Sequence, residues 1–317
     1  MWVYFLKRLF QMIPVMLIVT FLVYALMLAI PGDPARALIG PGESLDEEQL
    51  EYIRKKHNLD KPVIVQYGIW LGKALQGDLG RSTQNQRPVA EELKSRALVT
   101  LQFGLVAWLA AIFIGVPLGI ASAVYRGRPI DFFATIISIG GVAIPNFWLG
   151  IMCILYFGVV LGWLPTQGYV DIFENPSEGI KHMILPAFAL GITSWALIMR
   201  QCRSAMLEVL AQDYVRTAHA KGLLRTKVVW VHALRNALLP VVTVFGLQTG
   251  RIFAVSIVIE TLFGIPGMGQ FMVQAIFARD FQAVQGSILI MAMAVLIANL
   301  ITDFVYAWLD PRIRYND

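Results

Sequence analysis

Six stretches of this chain are free of charged side chains apart from a single arginine, and they constrain the fold more than any other feature. A helix needs ~20 apolar residues to cross the hydrocarbon core of a bilayer. The candidate windows are Leu9–Pro31, Ala97–Tyr125, Phe132–Val170, Met183–Met199, Asn236–Ile259 and Phe281–Thr302. The third is long enough for a span plus an outer loop, and Pro145 predicts a kink within it. The fourth is short and extends through polar flanks. The fifth carries Arg251, and the sixth is followed by Asp303. The first window follows Lys7 and Arg8, is too long for a signal-peptide core and lacks an A-x-A site, so it reads as a retained span. Length alone suggests about two soluble domains. A 57% hydrophobic composition with only 15% charged residues overrides that prior. The expectation is an all-α integral membrane protein with six transmembrane helices.

Basic residues orient the spans. With the N-terminus inside, the inner segments hold Lys7, Arg8, Arg126, Arg128, Arg312, Arg314 and the seven Lys/Arg between Arg200 and Arg235. The short outer loops hold only Lys181 and Arg279. Positive charge in short loops marks the cytoplasmic side, so both termini are expected there. The net charge of +5 therefore belongs to membrane topology, and nucleic acid is not an expected partner.

The expected organisation is an N-terminal span over 1–31, an extracytoplasmic loop over 32–96, a five-helix core over 97–310 and a tail over 311–317. The long loop translocates largely regardless of its charge. Ser44-Leu-Asp-Glu47 has capping-box spacing, and Pro62 and Pro88 suit first helical positions. "VIVQYGIWLGKAL" places Tyr67, Trp70, Leu71 and Leu75 on roughly one face of an interfacial helix.

No catalytic chemistry emerges. "GIWLGKA" (Gly68–Ala74) is one residue too short for a phosphate-binding loop and has Ala74 where a hydroxyl would ligate magnesium. His57, His182, His219 and His232 fall on both sides of the membrane, which disfavours a metal site. Cys153 and Cys202 stand singly in apolar stretches and imply no disulfide framework. No cofactor is expected on this chain. The pairs Gly115/Gly119, Gly158/Gly162 and Gly246/Gly250 permit close helix approach within one bundle.

The segment 204–236 is the outlier. Met206, Leu210, Tyr214 and Ala218 recur every four residues, one face of a helix. Beyond Gly222, Val228, Val231, Leu234 and Leu238 form a second stripe. A glycine able to adopt positive φ between two short amphipathic helices predicts a helix–turn–helix. Its apolar face wants a partner, either an anionic membrane surface or another protein. In the fifth span Arg251, with Gln248 one turn before it, is a candidate for a translocation pathway. Glu260 lies nine residues on, on the opposite helix face and ~13.5 Å along the axis, so the two cannot pair within the helix.

At these residues the chain resembles a known family. Arg216-Thr-Ala-His-Ala-Lys-Gly222 is similar to the cytoplasmic "EAA" coupling loop of ABC-importer permeases, in the form used by dipeptide, oligopeptide and nickel permeases. "IPGDPAR" (Ile30–Arg36), "QGDLGRS" (Gln76–Ser82), "LGWLPTQGY" (Leu161–Tyr169) and "HMILPA" (His182–Ala187) also look like family stretches. So do "RSAMLEVLAQDYVRTA" (Arg203–Ala218), "HALRNALLPVVT" (His232–Thr243), "ETLFGIPGMG" (Glu260–Gly269) and "DPRIR" (Asp310–Arg314). The resemblance covers nearly the whole chain and is nearest to the B-type subunit. Arg216-Thr217-Ala218 stand where the general pattern has Glu-Ala-Ala. Arg235 stands where it has proline, with Pro240 five residues on. Both departures fit the peptide-permease variant.

The resemblance implies a type I importer fold and a pore made with a sibling permease in a heterodimer. It also implies two ATP-binding subunits, which hold ATP and magnesium, and an extracytoplasmic substrate-binding protein. Asp213, Arg216, Thr217, Ala218, Lys221 and Gly222 would form the ATPase-coupling loop. Arg251 lies outside the family's motifs. The implied substrates are di- and oligopeptides, with nickel or a glutathione-like peptide as alternatives. An ion- or proton-coupled secondary transporter is the rival class. It usually shows internal repeats and a pair of broken spans, and neither is evident in the sequence.

Overall fold

The computed structural model describes residues 2–29, 35, 46–56 and 58–309. Helices α1 (Trp2–Ala29), α2 (Glu47–Lys56), α3 (Val63–Leu75) and α4 (Val89–Val124) come first, then α5 (Pro129–Ala143) and α6 (Asn146–Cys153). After α6 the chain continues in π turns over Ile154–Val160. Next come α7 (Pro176–Leu210), α8 (Asp213–Ala220) and the single turn α9 (Arg225–Lys227), which runs into π turns over Val228–Ala233. The chain finishes with α10 (Leu234–Phe263), α11 (Met268–Phe277) and α12 (Phe281–Leu309). Among the described residues there is no strand, only an isolated bridge between Arg81 and Pro88.

Each of the six expected apolar windows coincides with apolar helix, and the third departs most from expectation. Instead of a kinked span, α5 and the helix restarting at Asn146 meet at 108°. Proline forces its predecessor out of the helical region, and Ile144 is extended at φ −83°, ψ 127°. The bend is held from outside: Asn146 Nδ2 donates to the carbonyls of Ala189 (2.7 Å) and Leu190 (3.2 Å), and Thr193 Oγ1 donates to Asn146 Oδ1 (3.0 Å). A second bend, of 74°, separates Phe253–Phe263 from α11. Five further helices are long and apolar enough to span a bilayer, so counting each bent pair as one span allows up to seven.

The chain divides into two compact units. The larger is built chiefly from Leu101–Ile265 with the stretch from Val295 onward. Its centre is α7, of whose most apolar window 72% is buried. Asn175 caps α7 by accepting from the Glu178 amide, and Pro176 takes the first helical position. Helices α5, α6 and α10 pack on α7. Part of α4 also approaches it closely: a Cβ on Gly119 would stand 2.7 Å from both the Met199 carbonyl and Cys202 Cβ. Gly246 and Gly250 face Thr302, Val295 and Asn299 of α12. Gly158/Gly162 is no helix-packing pair, because Gly162 follows the π turns at φ 64° and Gly158 meets Thr166 of its own loop.

The second unit comprises Leu6–Thr100 and Pro266–Ala294. There α3 lies on α1 through a cluster of Phe21, Tyr24, Tyr67 and Trp70. Gln66 is buried beside it, accepting from Tyr24 Oη (3.2 Å) and donating to the Lys61 carbonyl (2.7 Å). The expected face Tyr67–Trp70–Leu71–Leu75 is therefore split. Tyr67 and Trp70 pack inward, while Leu75 and Ile64 are 81% and 72% exposed on the other side. With apolar residues around most of its circumference, α3 offered no single apolar stripe to read. Ser44, expected as a capping residue, lies outside the described residues, as do His57 and the stretches Ile30–Pro34, Arg36–Leu45 and Asp310–Asp317.

Candidate functional site

The basic segment folds as a hairpin, assembled differently from its sequence stripes. Met206 and Leu210 belong to the last turns of α7, which ends at Ala211. Gln212 then turns extended (ψ 150°) and starts α8 with Asp213 in its first turn. A four-residue period running through that break cannot be one helix face. The buried residues of α8 are Val215 and Ala218, which cluster with Val228, Leu210 and Leu223, while Tyr214 is exposed. On the return arm Val228 is buried and Leu234 and Leu238 pack partly buried on the core, but Val231 is 55% exposed and the buried set also takes in Val229, Ala233, Ala237 and Val241. The π turns cause this, because each residue advances less around the axis than in an α-helix and the buried stripe rotates.

Gly222 closes α8. It has φ 74°, its amide bonds the His219 carbonyl (2.9 Å), and the Leu223 amide bonds the Ala218 carbonyl (3.3 Å). This is the paired-bond helix stop that glycine makes available. Lys221 donates its amide to the Thr217 carbonyl (3.0 Å). Asp213 accepts from Arg216 Nη1 (3.1 Å) at two side chains that are 92% and 77% exposed. An ion pair so exposed adds at most ~0–1 kcal/mol. Thr217 Oγ1 donates to the Asp213 carbonyl (3.0 Å), and Asn236 Nδ2 joins the arms by donating to Tyr214 Oη (2.8 Å). Arg216, Lys221, Arg225, Lys227 and Arg235 are all exposed. The hairpin thus has a small apolar seam inside and a cationic exterior.

Two anchors tie the hairpin's ends to the turn between α4 and α5, and sequence reasoning missed both. Arg203, on α7 before the hairpin, donates from Nε to Asp131 Oδ1 (2.7 Å) and from Nη2 to Oδ2 (3.0 Å). Asp131 also accepts from Ser122 Oγ (2.6 Å) and the Gly127 amide (2.9 Å), so four donors hold its buried carboxylate. Arg225, on the return arm, donates to the Val124 carbonyl (3.1 Å) and lies 6.0 Å from the Tyr125 ring centre. Arg128 lies 5.6 Å from the same ring. An aspartate just after a basic turn was the one available signal.

The two translocation candidates sit one turn apart on α10 and differ sharply. Gln248 is buried, with its Nε2 lacking any acceptor. Arg251 is exposed and bonds no described residue. Nearby, Trp108 Nε1 donates to Thr249 Oγ1 (3.0 Å). The structure does not bring Arg251 and Gln248 to the hairpin residues. Among the described residues no group of three or more His, Cys, Asp or Glu could hold a metal ion.

A membrane-embedded bundle of this kind is the fold of an ABC-transporter permease. It is similar to the inward-facing MetNI methionine ABC transporter in its native crystal form (TM-score 0.55, 19% identity, 69% of this chain and 96% of that one). The selenomethionine-soaked form matches equally well (TM-score 0.55, 17% identity, with the same coverage). Residues 115–315 match the model of the binding-protein-dependent transport system inner membrane component, and residues 1–104 match the model of its N-terminal region. The chain belongs to this family of inner-membrane transport components. Among its relatives is a peptide transport system permease protein of Brucella abortus strain 2308, 41% identical over 98% of both chains. Another is the glutathione transport system permease protein GsiC of Escherichia coli O6:H1, 40% identical over 98% of this chain and 99% of that one.

Proposed function

We propose that this chain is one of two sibling permease subunits of an ATP-driven importer of short peptides, and that the hairpin 204–236 receives the motion of the ATP-binding subunits. Full-length likeness to permeases named for peptide and glutathione transport carries the substrate class. A glutathione-like peptide is the second reading, favoured by the GsiC relatives.

In this reading the hairpin and both termini face the cytoplasm, and an extracytoplasmic binding protein delivers the peptide. Asp213, Arg216, Thr217 and Lys221 present the polar surface of α8 to an ATP-binding subunit, and the exposed cations steer its approach to an acidic patch. Ala218 and Gly222 fix the shape of α8. Movement of α8 reaches the spans because its apolar seam with Val228 joins both arms. The Arg203–Asp131 and Arg225–Val124 contacts extend the moving body to the α4–α5 turn. ATP and magnesium reside on the partner subunits, and this chain catalyses nothing.

The test is reconstitution of the complete importer in liposomes. Peptide-loaded binding protein should stimulate ATP hydrolysis and uptake together, with the di-/oligopeptide and glutathione forms ranked side by side. Uptake that persists without ATP, or hydrolysis indifferent to every peptide-loaded binding protein, would overturn the reading.

A further inference from the structure

A cavity of about 160 Å³ opens within the second unit, bounded by the end of α1, the end of α2, α3 and the first turns of α12. Lys56 and Lys73 stand at its edge, Tyr24 and Leu28 form part of its wall, and Trp70 and Asp78 line it. None of these groups has a part in the coupling hairpin or in the α10 candidates. We propose that this cavity binds the headgroup of an anionic phospholipid.

Three observations point to an anion. Lys56 and Lys73 are exposed and bond no described residue. Trp70 Nε1 is buried with no acceptor, and an indole can only donate. A phosphate oxygen within the cavity would satisfy it. Asp78, the one carboxylate among the described wall residues, accepts from the Gly80 amide (2.9 Å) and offsets one of the two lysine charges, which leaves the wall cationic. Lysine binds phosphate as a compact point charge and needs no fixed fork geometry.

The surroundings select a lipid over a soluble anion. Tyr24 and Leu28 belong to the last turns of an apolar span, so the cavity lies where that span leaves the hydrocarbon. Trp70 stacks near Tyr24 (6.2 Å) and Tyr67 (6.0 Å), the kind of aromatic belt found at headgroup depth. The cavity wall itself supplies apolar surface, Leu28, Leu59 and Ile69, beside Lys56 and Lys73. Apolar wall beside lysines matches an amphiphile whose phosphate enters the cavity while its chains follow the end of α1 into the bilayer. Neither the transported substrate nor the ATP-binding subunits enter this inference.

The full chain, purified in detergent and titrated with phosphatidylglycerol, tests it by native mass spectrometry. The unaltered protein should retain one phosphatidylglycerol in preference to phosphatidylcholine. Lys56→Gln/Lys73→Gln should lower that retention at least tenfold, Trp70→Phe several-fold, and Lys181→Gln not at all. If the double variant is not monodisperse, Trp70→Phe reads the same site, since it keeps a packed ring and loses only the donor. Equal retention of both lipids, or equal phosphatidylglycerol retention by all variants, overturns the proposal. Displacement of the lipid by an equimolar amount of glycerol 1-phosphate would make this a soluble-anion site and overturn it as well.

Discussion

Arg203 grips Asp131 through both carboxylate oxygens, joining the end of α7 to the first turn of α5 across 72 residues of chain. Asp131 is the hub, because Ser122 and Gly127 donate to it too. Its removal strands more partners than removal of Arg203. Asp131→Ala should therefore destabilise the chain more than Arg203→Ala, by roughly 1–3 kcal/mol after allowing for the partly exposed arginine. A double-mutant cycle on the detergent-purified chain measures the coupling. Additive effects would mean that the pair is incidental.

Gly222 stands at φ 74° with open space where a Cβ would project, so backbone strain alone sets the cost of a side chain there. Valine resists this region, whereas asparagine enters it readily. Gly222→Val should cost on the order of 1 kcal/mol or more and weaken association with the ATP-binding subunits or uncouple hydrolysis from uptake. Gly222→Asn should keep most of the coupling. Unimpaired transport by the valine variant would leave the hairpin as a surface ornament.

The spans were legible because charge punctuates them: an apolar run ended by Arg126 or Arg200 can be seen without tertiary information. The turn at Gly222 was legible because glycine adopts that backbone with the least strain of any residue. What escaped were features set by partners distant in sequence. The stripe through Met206 and Tyr214 is interrupted at Ala211–Gln212, and Val231 is turned outward by π turns, which leave no periodic signature of their own. Pro145 announced a kink, yet the 108° bend also depends on Asn146 reaching Ala189 and Leu190. The Arg203–Asp131 pair shows the same limit, since each residue alone looks like an ordinary loop charge.

Two glycines offer a controlled contrast in packing. A methyl at Gly119 would meet the Met199 carbonyl and Cys202 Cβ at 2.7 Å, whereas one at Gly140 would meet nothing within 4 Å. A main-chain carbonyl cannot move aside as a flexible side chain can. Gly119→Ala should destabilise the chain by ~1–3 kcal/mol. Gly140→Ala should be neutral or stabilising by up to ~1 kcal/mol, because alanine loses less backbone entropy in a helix. Thermal unfolding of the isolated chain reads both. Loss of complex assembly by Gly140→Ala, with the isolated chain unaffected, would mark its open face as a subunit contact.

Asp280 pins a loop of the second unit. It is buried, caps α12 by accepting from the Ala283 amide (3.1 Å), and accepts from Ser82 Oγ and the Thr83 amide (2.9 Å). Arg81 is exposed on that loop and its amide is held by Gln282 Oε1 (2.7 Å). Arg87 precedes Pro88, a bond that trypsin does not cut. Asp280→Ala should therefore expose one new tryptic site, after Arg81, with cleavage accelerated about tenfold or more if the loop's closed state loses ~1.4 kcal/mol. An unchanged digestion rate would mean that Gln282 alone secures the loop.

Arg251 poses the sharpest functional question. Its exposure on α10 without a partner among the described residues removes Asp303 of the same chain as its counter-ion. Arg251 is the last residue of the span Arg225–Arg251, and a guanidinium there is stabilised by facing protein or water rather than lipid. Two partners remain: a group on the sibling permease, or the carboxylate of a passing peptide. Gln248, one turn earlier, is buried with an unsatisfied amide nitrogen, so this stretch of α10 carries a second donor in search of an acceptor. Arg251→Gln removes the charge but keeps a polar side chain. If Arg251 lines the pathway, the variant importer should assemble normally and slow uptake of peptides with a free C-terminus at least several-fold more than of their amidated forms. If Arg251 instead serves the subunit interface, both classes of peptide should slow equally, or the complex should fall apart on gel filtration.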